Sequence, residues 1–147
     1  MQDQDNPPRT AFALKTIERN ALRLLRMIED LLAYSDCVDG HLILHPTPVS
    51  LRSYCEEAVT RVLGAFDDPA SSEITVAPHM TIMADPTYLR QILEHLLTNA
   101  FKFTPSEGKV CIHAIEQEQW FVLEISDTGI GIDPDDLESV YKIFWQA

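Results

Sequence analysis

The stretch "LRQILEHLLTNAFKFTP" spaces four polar side chains along one helical edge: Gln91, His95, Asn99 and Lys102. At 100° per residue they fall in one sector of roughly 80°, beside an expected core face of Leu89, Ile92, Leu93, Leu96 and Ala100. Two amides, an imidazole and an ammonium in a row form either a solvated flank or the wall of a polar site. Lysine near a helix C-terminus is favourable in any case. Asn99 is the awkward member, because its side chain competes for backbone hydrogen bonds and makes it a poor helix former. A second group follows in "ISDTGIGI". Asp127 ends an apolar strand, where a carboxylate can accept a hydrogen bond from an amino group in a pocket. Gly129 and Gly131 permit a tight turn or a close backbone approach to a ligand. Alone, Asp-Thr-Gly after a strand also reads as an ordinary turn. No GxxxxGK[ST] phosphate loop occurs in the chain.

These groups need a scaffold, and the pattern supplies one. Residues 1–8 read as a tail with Pro7-Pro8 as its last breaker. From 9 to 40 the pattern is helical. Leu14, Ile17, Ala21, Leu24, Ile28 and Leu31 form an a/d seam widened by Leu25 and Leu32, and Gly40 is the expected stop. A helix packed on its own domain and a helix of a dimeric bundle both satisfy such a seam; its length and regularity favour the bundle. Residues 41–50, "HLILHPTPVS", read as a hinge linker with a short strand. Residues 51–147 then form the second domain. Ser50 is expected to cap a helix over 51–66. Strands are expected at 73–77 and 81–84, and Asp85-Pro86 should open a helix to about 101–103. Strands at 109–117 and 120–126 follow, joined by a hairpin near Glu118-Gln119. The glycine loop and a last helical turn or two close the chain.

Composition limits the partners. Of 147 residues, 46% are hydrophobic, which suits a chain with a buried core. A net charge of −12 argues against nucleic-acid or anionic-membrane binding, since both need a basic footprint. Three scattered cysteines without a CxxC pair suggest a reduced, cytoplasmic setting. The scattered histidines offer no zinc spacing. No apolar run reaches the roughly 20 residues needed to span a bilayer, so no membrane contact is expected from this segment.

Taken together, the two motifs resemble the sensor histidine kinases of two-component signalling. "LRQILEHLLTNAFKFTP" is similar to their N box and "DTGIGI" to their G1 box. "VYKIFWQ" resembles the phenylalanine-containing segment after G1. "RLLRMIEDLLAYS", with Gly40, Leu42, Leu44, Pro48 and Val49, resembles the second dimerisation helix and its link to the ATPase domain. The resemblance implies an α+β fold, a long bundle helix followed by a two-layer α/β sandwich of the histidine-kinase ATPase type. It implies ATP and Mg²⁺ as ligands. Asn99 would hold Mg²⁺ on the ATP phosphates, where one neutral amide oxygen suits a hard ion ligated mainly by phosphate and water. Lys102 would neutralise phosphate charge, Asp127 would accept from the adenine amino group, and Gly129 and Gly131 would let the loop pass the nucleotide. The implied partners are ATP, a response regulator, and a second copy or another kinase along helix 9–40.

The sequence departs from the family pattern in three places. His95 stands where the family usually has a second asparagine, and it can still donate to a phosphate or a water. The five histidines are followed by Leu, Pro, Met, Leu and Ala, so none has the acid that follows the family's phosphoacceptor. No second, GxGLG-like glycine box follows Phe144-Trp145. The ATPase sandwich is therefore expected to be C-terminally incomplete, its nucleotide affinity weak, and the chain inactive alone. The alternative is a truncated, non-catalytic relative that pairs with a full kinase or occupies a response regulator. A gyrase-like ATPase or an anti-sigma-factor kinase is disfavoured by "KFTP" and by the preceding bundle helix. Any membrane anchor would belong to a longer parent protein.

Overall fold

The computed structural model describes residues 7–38, 42–118 and 120–140. The chain divides into two units, Met1–Leu44 and His45–Ala147. Among the described residues, the first unit contains one helix, α1, over Pro7–Val38. It takes in the two prolines expected to precede it, because N–H groups of a helix's first turn have no intrahelical partner and proline forfeits nothing there. The seam residues Leu14, Ile17, Leu24, Ile28 and Leu31 are each more than half exposed. Gly40, the expected stop, lies outside the described residues.

The second unit contains β1 (Thr47–Ser50), α2 (Leu51–Leu63), β2 (Ser71–Thr75), β3 (Thr81–Ala84), α3 (Pro86–Phe103), β4 (Lys109–Gln117) and β5 (Trp120–Asp127). One 3-10 turn follows at Pro134–Asp136; the remainder of the expected last helix, beyond residue 140, lies outside the described residues. The three-stranded sheet has the order β2-β4-β5, parallel then antiparallel, and β1 pairs antiparallel with β3. Alternation along β4 sends Val110, Ile112 and Ala114 inward. Leu51, Cys55, Ala58, Val59 and Val62 of α2 and Leu93, Leu97, Ala100 and Phe101 of α3 pack over them as one core. Helices on one sheet face make the two-layer sandwich expected of an α+β chain. Burial in this core pushes the Cys55 thiol up to about 11, so it stays protonated.

The structure corrects four details. Ser50 occupies the N-cap position of α2, but its side chain makes no capping bond. Its hydroxyl meets that of Ser53 at 3.1 Å, while the Leu51 N–H donates to the Met80 carbonyl at 3.0 Å. Helix α2 stops at Leu63, and Phe66 reaches the core from the following turn, its ring 6.1 Å from that of Phe101. Strand β2 lies two residues earlier than expected. Its register with β4 runs from Ser71↔Lys109 to Thr75↔His113, and the Val76 carbonyl instead accepts from Arg52 Nη1 at 3.0 Å. The core stripe of α3 is also turned, by roughly 70° on a helical wheel. Leu97 and Phe101 are buried, whereas Ile92 and Leu96 are 56% and 47% exposed. Apolar periodicity alone could not separate these stripes, because leucine and isoleucine occupy both.

This assignment of faces has a direct consequence for stability. Leu97→Ala, at a site with no exposure, should cost about 2–5 kcal/mol and lower the denaturant midpoint at unchanged slope. Ile92→Ala should cost less than about 1 kcal/mol. Equal losses in urea titrations would contradict the orientation of α3.

Candidate functional site

Helix α3 begins well. Asp85 Oδ1 accepts from the N–H groups of Thr87 (2.9 Å) and Tyr88 (3.4 Å), and Pro86 fills the first position. Hydrogen bonds from the His45, Thr87 and Tyr88 N–H groups, the first of them the largest influence, hold the Asp85 carboxyl below the usual carboxylate range. The helix ends at Thr104, which is buried and donates its hydroxyl to the Ala100 carbonyl at 2.7 Å. That bond occupies one of the last-turn carbonyls that the helix leaves without a partner.

The loop after β5 is seated on this same helix end. Ile130 N–H donates to the Phe103 carbonyl at 3.2 Å. The Gly129 backbone packs so closely that a Cβ there would overlap that carbonyl oxygen and approach its carbon to 2.9 Å. Glycine at 129 is therefore required by space. Gly131 is different: its φ of +71° is a left-handed conformation, and a Cβ would meet nothing within 4 Å. Asp127 Oδ1 accepts from Gly129 N–H at 2.9 Å, which fixes the carboxylate against its own loop. Thr128 secures the other side. Its N–H donates to the Lys109 carbonyl at 3.0 Å, and its hydroxyl accepts from Lys109 N–H at 2.9 Å.

The anticipated groups thus lie on two joined elements. His95, Asn99 and Lys102 are exposed on α3, with Gln91 half-buried, and Asp127, Gly129 and Gly131 belong to the loop docked at its C-terminal end. The polar sector does not border the buried stripe as expected. Between them lie Ile92, Leu96 and Phe103, which with Asn99 span roughly 60° of the helix. These apolar residues are exposed. An apolar wall beside a few placed polar groups is the usual make-up of a small-molecule site. The Lys102 ammonium stands 4.5 Å from the Phe103 ring centroid, at the helix end where it opposes the dipole's negative pole. Among the described residues no group of three or more His, Cys, Asp or Glu side chains could hold a metal by itself. An Mg²⁺ ion that arrived on phosphates could take one amide oxygen from Asn99.

Thr104, Thr128 and the Phe103 carbonyl were not legible in advance as parts of this region. The one available signal was "TPSEGK", which folds as the turn with Gly108 N–H on the Pro105 carbonyl at 2.8 Å. Substitution separates the two glycines. Gly129→Ala should unseat the loop, costing about 1–3 kcal/mol, and speed exchange of the Ile130 amide. Gly131→Ala should add conformational strain of about 1 kcal/mol without releasing that amide. An Ile130 amide as protected in Gly129→Ala as in the parent would contradict this packing.

Comparison with known proteins agrees with this architecture. The family model for histidine kinase-, DNA gyrase B- and HSP90-like ATPases matches residues 84–147, which covers α3, both long strands and the glycine loop. The sensor protein GacS of Pseudomonas syringae pv. syringae is 34% identical over all of this chain. The signal transduction histidine-protein kinase BarA of Escherichia coli is 36% identical over 91% of it. The chain spans only 17% and 15% of those two relatives. Full-length ShkA, solved in complex with AMPPNP, superposes on 92% of this chain and 30% of its own length, with a TM-score of 0.77 and 25% identity. The chain is similar along its length to sensor histidine kinases, and its residues 84–147 belong to the family of histidine kinase-, DNA gyrase B- and HSP90-like ATPases.

Proposed function

We propose that residues 45–140 bind Mg-ATP for an ATP-dependent protein-histidine kinase of two-component signalling. ATP would phosphorylate a histidine, and the phosphoryl group would pass to an aspartate of a response regulator. The observation that carries this reading is the bond from Ile130 N–H to the Phe103 carbonyl, which joins the Asp127 loop to the helix of Asn99 and Lys102. Asn99 Oδ1 ligates Mg²⁺ on the phosphates, and Lys102 neutralises the remaining phosphate charge. Asp127 accepts from the adenine amino group, with its carboxylate pre-oriented by Gly129 N–H. His95 donates to a phosphate or to a water on it. Gly129 and Gly131 keep the loop close to the base. Mg²⁺, when bound, lowers the charge of the triphosphate and orients its terminal group. This matters for a chain of net charge −12, which would repel free ATP.

The family setting supports the remaining roles. A second copy or a full kinase pairs along α1, whose seam is exposed. This segment contributes nucleotide binding and no phosphoacceptor, since no histidine of the chain is followed by an acid. The exposed seam also favours a second reading, a non-catalytic relative that acts by pairing with a kinase or binding a response regulator.

Calorimetry distinguishes these assignments. Asn99→Ala should weaken Mg-ATP binding about tenfold or more, equivalent to ~1.4 kcal/mol. With EDTA present, parent and variant should bind ATP equally weakly. Radiolabelled ATP should leave no base-stable, acid-labile phosphoryl group on the chain alone. Tight Mg-ATP binding that survives Asn99→Ala would refute the metal role, and a phosphorylated chain would refute the division of labour.

A further inference from the structure

The Asp85 carboxylate faces two ways. Oδ1 caps α3 through Thr87 and Tyr88. Oδ2 accepts the N–H of His45 at 2.9 Å, a residue 40 positions earlier. The ladder between β1 and β3 explains why. It runs from Ser50↔Thr81 to Thr47↔Ala84. Pro46 stands next and has no N–H, so backbone pairing cannot continue there. The side chain that follows Ala84 reaches the first donor beyond the proline. His45 is also the first residue of the second unit, where the chain arriving from α1 enters. At the other end of α3 are Asn99, Lys102 and the carbonyl that seats the glycine loop.

We propose that Asp85 is a positioning residue for the nucleotide, coupling the connector at His45 to the seating of α3. Nucleotide bound on the C-terminal half of α3 and an ordered connector then favour one another. This inference rests on the nucleotide reading given above. Helix α3 transmits the constraint as a rod. Asn99 lies about three and a half turns beyond Pro86, the first residue of the helix, at 3.6 residues per turn. A displacement of the chain at residue 45 acts on the carboxylate that fixes the helix N-terminus. The coupling is reciprocal by linkage: what nucleotide does for the connector, the connector does for nucleotide affinity by the same factor.

Amide exchange of the whole chain, followed by NMR with and without Mg-AMPPNP, tests this. Saturating Mg-AMPPNP should slow exchange at His45 by roughly fivefold or more. Asp85→Asn keeps an oxygen for the cap but turns an NH₂ toward His45 N–H. In that variant Thr87 and Tyr88 should stay protected, and His45 should exchange fast with or without nucleotide. Affinity for Mg-AMPPNP should fall by the factor of protection lost. His45→Pro removes the donor and leaves the carboxylate intact, and the same fold-loss of affinity is expected. A parent chain that binds nucleotide while its His45 amide is indifferent overturns the inference alone. So does unchanged affinity in His45→Pro, or nucleotide-dependent protection of His45 that persists in Asp85→Asn. A parent chain that binds no nucleotide overturns the nucleotide reading, and the inference with it.

Discussion

The nucleotide site proposed for this chain depends on the contact between the Phe103 carbonyl and the backbone of Gly129-Ile130. A carbonyl in the last turn of a helix has lost its intrahelical donor and must find one elsewhere. Here the donor is Ile130 N–H, and the absence of a Cβ at 129 lets it come close enough. One hydrogen bond contributes only about 1 kcal/mol net. Its structural effect is larger, because it joins two elements that carry different functional groups. It seats the loop that follows Asp127, the last residue of β5, against the end of the helix that carries Asn99. The glycine loop also closes around the start of β4 through Thr128 and Lys109, so three elements meet at one corner.

Helix α3 is held at both ends by such side-chain and backbone bonds, and in the middle by burial. Asp85 begins it, Thr104 ends it, and Leu93 and Leu97 anchor it with no exposure. The inward face alone satisfies the core, and the outward face carries the polar groups proposed to meet the ligand. The exposed stripe of Ile92, Leu96 and Phe103 lies beside Asn99 and gives the polar groups an apolar wall. Charge then selects the form of the ligand. In the proposed site, an acidic chain with Lys102 at that helix end would accept a polyphosphate better as its magnesium complex.

Much of this was legible in the amino-acid order. Asp85-Pro86 announced the start of α3 because capping chemistry is local. Two runs rich in apolar, β-branched and aromatic residues, at 109–117 and 120–126 on either side of Glu118-Gln119, marked both long strands. What escaped depends on tertiary geometry. The shift of β2 follows from parallel register with β4, which no local pattern encodes. The turn of the α3 core stripe escaped because two apolar stripes of similar hydrophobicity share the helix. Ser50 holds the N-cap position, but its partner is Ser53 because the Met80 carbonyl dictates how the chain enters α2. Gly129 and Gly131 looked alike in sequence. Only the structure separates a glycine demanded by space from one demanded by its dihedral angle.

The central claim is that the polar edge of α3 and the 127–131 loop form one nucleotide site. An NMR titration with Mg-AMPPNP tests it most directly. The account predicts that the Asn99 side-chain amide and the backbone amides of Gly129 and Gly131 shift together, with one shared dissociation constant. Shifts confined to only one of these elements, or unequal constants for the two, would contradict it.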